Sequence, residues 1–140
     1  MTDFVPSSKL IFYISGNDFD LDKVTHMIGI SPTETRIKDD FPLQSILAGV
    51  AKTEWCIDLK EDHCIAISVL FEKMLEKLKD KETVIREACQ NFQLSADFVL
   101  IIHTQGADRP EMLLPREAIS FAAAINAEIA FDLYYYEEEA

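Results

Sequence analysis

Two runs of consecutive apolar residues limit the folds open to this chain more than any other feature. They are LIFYI at residues 10–14 and FVLII at residues 98–102, and both are rich in β-branched and aromatic side chains. Such continuous runs are typical of strands that are covered on both faces, as in the interior of a sheet. The sequence therefore predicts a sheet in which these two segments are central strands.

The remaining segments place helices between strands. Strand patterns are found at residues 10–14, 34–38, 52–60, 96–104 and 128–136, and helical spacing at 21–28, 62–79, 80–92 and 115–125. Residues 39–50 are expected to be a loop, and Asp62 is the expected N-cap of the long helix. The order β-α-β-β-α-α-β-α-β predicts an α+β two-layer sandwich, a mixed β-sheet with helices on one face. A ferredoxin-like variant is its most natural form, and the strand order stays open.

The acidic stretch after the first strand predicts a turn and a helix start. Gly16 is expected to end the strand with a positive φ, and Asp18 and Asp20 carry short acceptors that cap free backbone amides. Asp22 falls in the first helical turn, where the helix dipole favours an anion. Gly29 fits the left-handed position that ends the helix.

Calcium is the alternative explanation of these alternate aspartates. An EF-hand loop counted from Asp18 requires glycine at its sixth position and glutamate at its twelfth. Those positions hold Lys23 and Gly29, and a strand instead of a helix precedes the loop. The sequence therefore predicts capping and turn chemistry here, and no metal site.

The composition indicates one soluble domain over residues 1–140, with a short acidic tail at 137–140. A hydrophobic fraction of 49% with 27% charged residues is ordinary for a globular protein, and no apolar run is long enough to span a bilayer. No secretory signal is visible. The three cysteines have no C-x-x-C spacing, which favours reduced thiols. We therefore expect a cytoplasmic location.

The formal net charge of −12 is large for 140 residues. Because such a field repels phosphate backbones, nucleic acid is not an expected partner. Two interpretations of the charge remain. It keeps the chain soluble, or it also steers a basic protein onto an acidic face.

Motifs for catalysis and cofactor binding are missing. There is no P-loop, no dinucleotide-binding glycine pattern, no nucleophile elbow and no zinc-protease motif. The histidines His26, His63 and His103 share no metal spacing, and His63 beside Cys64 is not a ready-made dyad because adjacent helix positions point in different directions. We therefore predict no catalytic residues, no metal and no cofactor.

A few side chains are candidates for binding. His103 lies at the end of a buried strand. It is either a residue at the rim of a functional site or a structural residue held by hydrogen bonds. Trp55 is either a core anchor or an interface hot spot. Asp132, Tyr134 and Tyr136 form an aromatic and acidic stripe on the last strand, suited to a basic surface or serving edge protection. The candidate binding set is Asp18, Asp20, Asp22, Trp55, His103, Asp132 and Tyr134.

The chain also resembles a known family. The segments ISG at 14–16, VT at 24–25, GI at 29–30, PT at 32–33, TEW at 53–55 and FDLY at 131–134, together with the leucine-rich helix through Leu70 and Leu78, are similar to a bacterial domain of unknown function, number 4279. The resemblance covers nearly the whole chain. It implies a small, single-domain, cytosolic bacterial protein with no established activity and no catalytic residues.

Two functional hypotheses follow. The first is a non-enzymatic protein-binding module, an immunity-type or regulatory partner of a basic protein. The second is a small-molecule sensor or enzyme with a pocket near the acidic turn and the end of strand 98–102. Neither involves a membrane, and the oligomeric state stays open.

Overall fold

The computed structural model describes residues 4–62, 66–106 and 109–138. The strands are β1 (Ser7–Gly16), β2 (Glu34–Arg36), β3 (Thr53–Asp62), β4 (Ser95–Gln105) and β5 (Glu128–Tyr136). The helices are α1 (Leu21–Ile28), α2 (Leu43–Leu47), α3 (Ile67–Lys77), α4 (Glu82–Phe92) and α5 (Arg116–Ala124), and a 3₁₀ turn spans Lys38–Asp40.

The strands form one mixed sheet in the order β2-β3-β1-β4-β5. The pairs β2–β3, β3–β1 and β1–β4 are antiparallel, and β4–β5 is parallel. The crossovers from β1 to β2 and from β3 to β4 interleave, which is the split β-α-β arrangement of ferredoxin-like folds. A further crossover through α5 adds β5 at the edge. The predicted α+β class and element order are confirmed.

The core lies between the sheet and the helices. Leu10, Phe12 and Ile14 of β1 are fully buried on the helix side, and the Phe12 and Phe98 rings lie 5.1 Å apart. Phe71 of α3 packs on Phe98 at 5.7 Å between ring centroids. These aromatic contacts fix α3 across the middle of the sheet, because large rings bury the most apolar area per residue.

The described helices all lie on one face of the sheet. On β4 the burial alternates strictly, with Phe98, Leu100 and Ile102 buried against the helices and Val99 and Ile101 half-buried on the other side. The expectation that the two apolar strands are covered on both faces is therefore wrong for the described residues. Their apolar side chains on the uncovered face are shielded by neighbouring side chains and not by a second layer.

Gly16 ends β1 for a different reason from the one predicted. Its φ is not positive, unlike those of Gly29, Gly49 and Gly106. A Cβ built on Gly16 would lie 2.5 Å from Cδ2 of Leu94, far inside van der Waals contact. Glycine suits the position because the Leu94 side chain occupies the space that a Cβ would take.

Two local predictions are wrong. Residues 39–50 contain the 3₁₀ turn and α2 instead of a loop, because Pro42 suits the start of a helix and Gly49, at φ 75°, suits its end. Asp62 does not cap a helix, because β3 stays paired with β1 up to the pair Ser7–Asp62. The residue before α3 is Ala66, which supplies no side-chain cap. His63 and Cys64 lie outside the described residues.

Candidate functional site

The acidic turn builds the start of α1. One carboxylate oxygen of Asp20 accepts hydrogen bonds from the backbone N–H groups of Asp22 at 3.0 Å and Lys23 at 3.2 Å. Asp22 lies in the first turn, and Gly29 closes the helix in the left-handed conformation, donating to the carbonyl of Thr25 at 2.8 Å. Asp20 and Asp22 therefore stabilise the helix, as the capping interpretation predicts.

A small cavity lies beside this turn. Its volume is about 280 Å³, and its lining residues are Asn17, Asp18, Ile37, Lys38, Asp39 and Thr53. The ammonium of Lys38 donates to the side-chain oxygen of Asn17 at 2.9 Å, and the Lys38 backbone N–H donates to the hydroxyl of Thr53 at 3.1 Å. Asp18 is exposed and contributes a carboxylate to the rim.

His103 lies at the opposite end of the sheet from the acidic turn. It pairs with Ser7 at the start of β1, whereas the turn follows Gly16 at the end of the same strand. The length of β1 separates them by about 30 Å at about 3.3 Å per residue. One pocket formed jointly by the acidic turn and the end of β4 is therefore excluded.

Trp55 belongs to the core. Its side chain is fully buried, its ring meets Phe12 edge-on at 6.4 Å, and its indole N–H donates to the Thr25 hydroxyl at 2.9 Å. Because Trp55 has no exposed surface, it is a core anchor and not an interface contact.

His103, Asp132 and Tyr134 are brought together in an aromatic cluster. The His103 ring stacks on Tyr134 with 4.8 Å between centroids, and its Nδ1 lies 3.0 Å from the hydroxyl of Tyr136. The Tyr134 hydroxyl donates to Asp132 at 3.0 Å, which raises the pKa of Tyr134. Phe4 packs on Tyr136 at 5.2 Å. The strand alternation predicts the stripe on β5. Phe4 lies before the first strand pattern, so the sequence gives no indication that it joins the cluster.

This cluster is one end of a larger surface, the open face. The open face consists of the side chains that point away from the helices, at positions 34 and 36 of β2 and at alternate positions of β3 (54–62), β1 (7–15), β4 (95–105) and β5 (128–136). Its acidic members are Glu34, Glu54, Asp58, Asp62, Asp97, Glu128 and Asp132, and its basic members are Lys9, Arg36 and Lys60. Carboxylates thus outnumber cations by more than two to one on this face.

A concavity of about 270 Å³ lies on the open face over β1 and β3. One oxygen of Asp58 pairs with the Lys9 ammonium at 3.3 Å, while the other oxygen is buried and has no hydrogen-bond partner among the described residues. The sequence alternation places Asp58 and Glu54 on one face of β3, but gives no sign that a carboxylate oxygen is buried there.

Protonation in this concavity reflects its negative charge. Burial, followed by the charges of Cys56, Glu54 and other nearby carboxylates, raises the pKa of Tyr13 to about 12. Burial also raises the pKa of the Cys56 thiol to about 12, and nearby carboxylates add to the effect. Burial raises the pKa of Glu54, against the lowering effect of Arg36. The concavity therefore disfavours further negative charge, because burial and the surrounding carboxylates act in the same direction.

The described part of the chain gives no sign of a metal site or of a membrane-spanning helix. Within residues 4–62, 66–106 and 109–138, no three His, Cys, Asp or Glu side chains are grouped to hold a metal ion. None of the helices described here combines the length and apolar character needed to cross a bilayer.

Comparison with known proteins gives one finding. No curated protein and no solved structure shows a significant match to the chain. A family model described as "Domain of unknown function (DUF4279)" matches residues 6–136. The match covers nearly the whole sequence, from just before β1 to the end of β5, so the chain belongs to the DUF4279 family.

Proposed function

We propose that this protein is a non-enzymatic binding module whose open face docks onto a basic surface of another protein. One observation carries the proposal: strands with the sequence of buried central strands have one face that no layer of the described residues covers. Ile11, Tyr13, Val99 and Ile101 form an apolar floor on that face, in which Ile11 is buried by its neighbours and the other three are half-buried, and carboxylates surround it. A binding partner would supply the missing layer.

The open face has the size of a protein interface. Five strands spaced about 4.8 Å apart, most of them about 30 Å long, present about 600 Å². A standard interface buries about 800 Å² on each partner, so the open face with a rim of neighbouring loops reaches that range. Its apolar floor supplies burial, and its carboxylates supply orientation and a fast, salt-sensitive encounter.

Charge favours a basic partner in particular. The carboxylates of Glu34, Glu54 and Asp58 lie around one concavity, where an incoming lysine or arginine would find acceptors. An immunity-type or regulatory protein that masks a basic partner in the bacterial cytoplasm fits this surface. Cys56 and Cys89 are free thiols, which suits a reducing compartment.

The test compares two triple variants that remove the same charge. The first, Glu34→Gln, Glu54→Gln and Asp132→Asn, neutralises the open face. The second, Glu72→Gln, Glu76→Gln and Glu87→Gln, neutralises exposed positions on α3 and α4. Each protein is immobilised, captured proteins are identified, and the affinity of the purified candidate is measured from low to high salt.

We expect a basic protein that binds the wild type and the helix variant equally, and the open-face variant at least about tenfold more weakly, with an affinity that falls as salt rises. Equal binding by both variants, or binding indifferent to salt, would contradict the proposal.

The cavity beside the acidic turn supports a second candidate function, a small-molecule sensor. Its rim offers Asp18, Asp39 and the Lys38 ammonium to a polar ligand. A metabolite that raises the melting temperature of the wild type but not of Asp18→Ala would support it. A shift that survives in the variant, or no shift across a broad metabolite panel, would exclude it.

A further inference from the structure

The two edges of the sheet differ in how they are protected. At one edge β2 has only three residues, Glu34–Arg36, and short edge strands resist pairing with other chains. At the other edge β5 has nine residues, each in register with β4 from the pair Asp97–Glu128 to the pair Gln105–Tyr136, with no bulge. Within the described residues no strand pairs with the outer side of β5. One edge is thus short, and the other is long and regular.

Glu128 and Asp132 are the charged side chains of β5, and the strand has few other protective devices of an edge. It contains no proline, lysine or arginine. On the helix side, Phe131, Leu133 and Tyr135 are 45%, 55% and 57% exposed, although such residues are ordinarily buried. An edge strand with this composition is suited to accept another strand.

The backbone of β5 shows which groups are available. The carbonyl of Tyr136 accepts a hydrogen bond from the Gly106 N–H at 3.1 Å, so Tyr136 directs its backbone groups towards β4. Because the N–H and C=O of one residue point to the same side of a parallel strand and alternate along it, the odd-numbered residues direct theirs outward. Phe131, Leu133 and Tyr135 therefore direct outward a row of backbone groups that no described strand pairs with.

The charge of β5 indicates which kind of segment would pair with this edge. Between residues 128 and 138 the chain carries Glu128, Asp132, Glu137 and Glu138 and no basic residue. A second copy of β5 would place like charges side by side, which destabilises strand pairing. A basic strand would instead place opposite charges beside Asp132. Charge complementarity therefore favours a basic segment over self-association.

We propose that the partner binds by adding an extended segment to the outer edge of β5, with basic residues on its open-face side and apolar residues on its helix side. This inference rests on the proposed function and names the recognition mode, strand addition. Lysine or arginine side chains would lie beside Asp132 and over the exposed ring of Tyr134, where cation–π attraction adds to ion pairing. Apolar side chains would lie beside Phe131, Leu133 and Tyr135.

A dye-labelled peptide of alternating sequence Lys-Val-Lys-Val-Lys-Val-Lys is the probe, and fluorescence anisotropy measures its binding to the full-length protein. A peptide of equal composition with all lysines preceding all valines is the control, because it cannot place the lysines on one face of a strand. We expect the alternating peptide to bind at least about tenfold more tightly. Equal binding, or no detectable binding of the alternating peptide, would overturn the proposal.

Two further measurements separate strand addition from binding to the side chains alone. Leu133→Pro removes an outward N–H without touching the ladder to β4, a position at which edge strands tolerate proline. Leu133→Ala removes the same side chain and keeps the N–H. We expect Leu133→Pro to bind the peptide at least about tenfold more weakly than Leu133→Ala, with circular dichroism and melting temperature checking that both fold.

The second measurement leaves the protein unchanged. N-methylation at every lysine blocks one edge of the peptide strand, and N-methylation at every valine blocks the opposite edge. Strand addition requires one methylated peptide to lose binding and the other to keep it, whereas equal behaviour overturns the proposal.

The natural partner then distinguishes this inference from the proposed function. If it binds Leu133→Pro as well as Leu133→Ala but loses affinity for the open-face variant, the proposed function stands and strand addition fails. If the partner binds Leu133→Pro and the open-face variant as tightly as the wild type, the proposed function itself fails.

Discussion

The indole N–H of Trp55 donates a hydrogen bond of 2.9 Å to the hydroxyl of Thr25, which in turn donates to the carbonyl of Leu21 at 3.1 Å. The chain of two hydrogen bonds joins β3 to α1 through the core. It also satisfies the one polar group of a side chain that is otherwise surrounded by apolar contacts. The hydrogen bond from Trp55 to Thr25 therefore helps to fix the position of α1 on the sheet.

Replacing Thr25 by valine should destabilise the fold by about 1–3 kcal/mol, because the change keeps the shape but leaves a buried indole N–H without an acceptor. Urea denaturation followed by circular dichroism measures the effect. Thr25→Ser, which keeps the hydroxyl, should retain most of the stability. Wild-type stability in Thr25→Val, or a larger loss in Thr25→Ser than in Thr25→Val, would show that the hydrogen bond is not the main contribution of Thr25.

Replacing Asp20 by alanine should cost about 1 kcal/mol, because α1 loses the side chain that satisfies two of its free N–H groups. Asp18→Ala is the matched control, since it removes the same charge from an exposed neighbouring position. Thermal unfolding of both variants tests the assignment. The capping role is wrong if the two melting temperatures fall by the same amount.

Replacing Gly16 by alanine should destabilise the protein by about 1–3 kcal/mol through overpacking against Leu94. The combined variant with Leu94→Ala removes the obstructing methyl group. The loss in the double variant should therefore be smaller than the sum of the two single losses. Strict additivity in denaturant titrations would mean that Leu94 is not the obstacle.

Replacing Glu54 by glutamine should stabilise the protein at neutral pH and have little effect in acid. The pKa of Glu54 is raised in the fold, so its protonated form is favoured there. Its contribution to stability is fully present below the unfolded pKa and is lost as the pH rises through the folded pKa. Melting temperatures of wild type and Glu54→Gln should therefore separate as the pH rises from about 4 to about 7.

Exposed Glu72 supplies the control for that comparison, because Glu72→Gln removes an equal charge from the surface of α3. A pH-dependent gain of the same size in Glu72→Gln would mean that net charge, and not the environment of Glu54, is responsible.

The thiols of Cys56 and Cys89 should react slowly with iodoacetamide at about pH 8. Their pKa values are raised to about 12 and about 11 from an ordinary 9.0, chiefly by burial. Because the thiolate is the reactive form, Cys56 should be alkylated at least about tenfold more slowly than in the unfolded chain. Peptide mapping by mass spectrometry, with and without urea, measures both rates. Rapid labelling of folded Cys56 would contradict its buried position.

Local patterns in the sequence predict most of the architecture. The apolar runs at 10–14 and 98–102 lie in β1 and β4, which occupy neighbouring interior positions of the sheet, and the alternation at 128–136 coincides with β5. These predictions succeed because the side-chain period depends only on neighbouring residues. The cap at Asp20 is equally local.

Long-range pairing is what the sequence does not reveal. Asp62 carries a good capping side chain, but its pairing with Ser7 across the sheet keeps it in a strand. Gly16 meets Leu94, and Phe4 meets Tyr136, only after folding. The candidate site is the part that the sequence predicts least, because the open face combines five strands whose order no local pattern encodes.

The position of β1 in the middle of the sheet also determines how the chain folds. Phe12 pairs with Ile57 on one side and Phe98 on the other, so β1 cannot complete its pairing until two segments much later in the chain are available. Such non-local pairing slows folding, because loop-closure entropy is lost before the contacts form. The sheet cannot close until β4 has left the ribosome. The sheet therefore acquires most of its stability only after β4 has paired with β1.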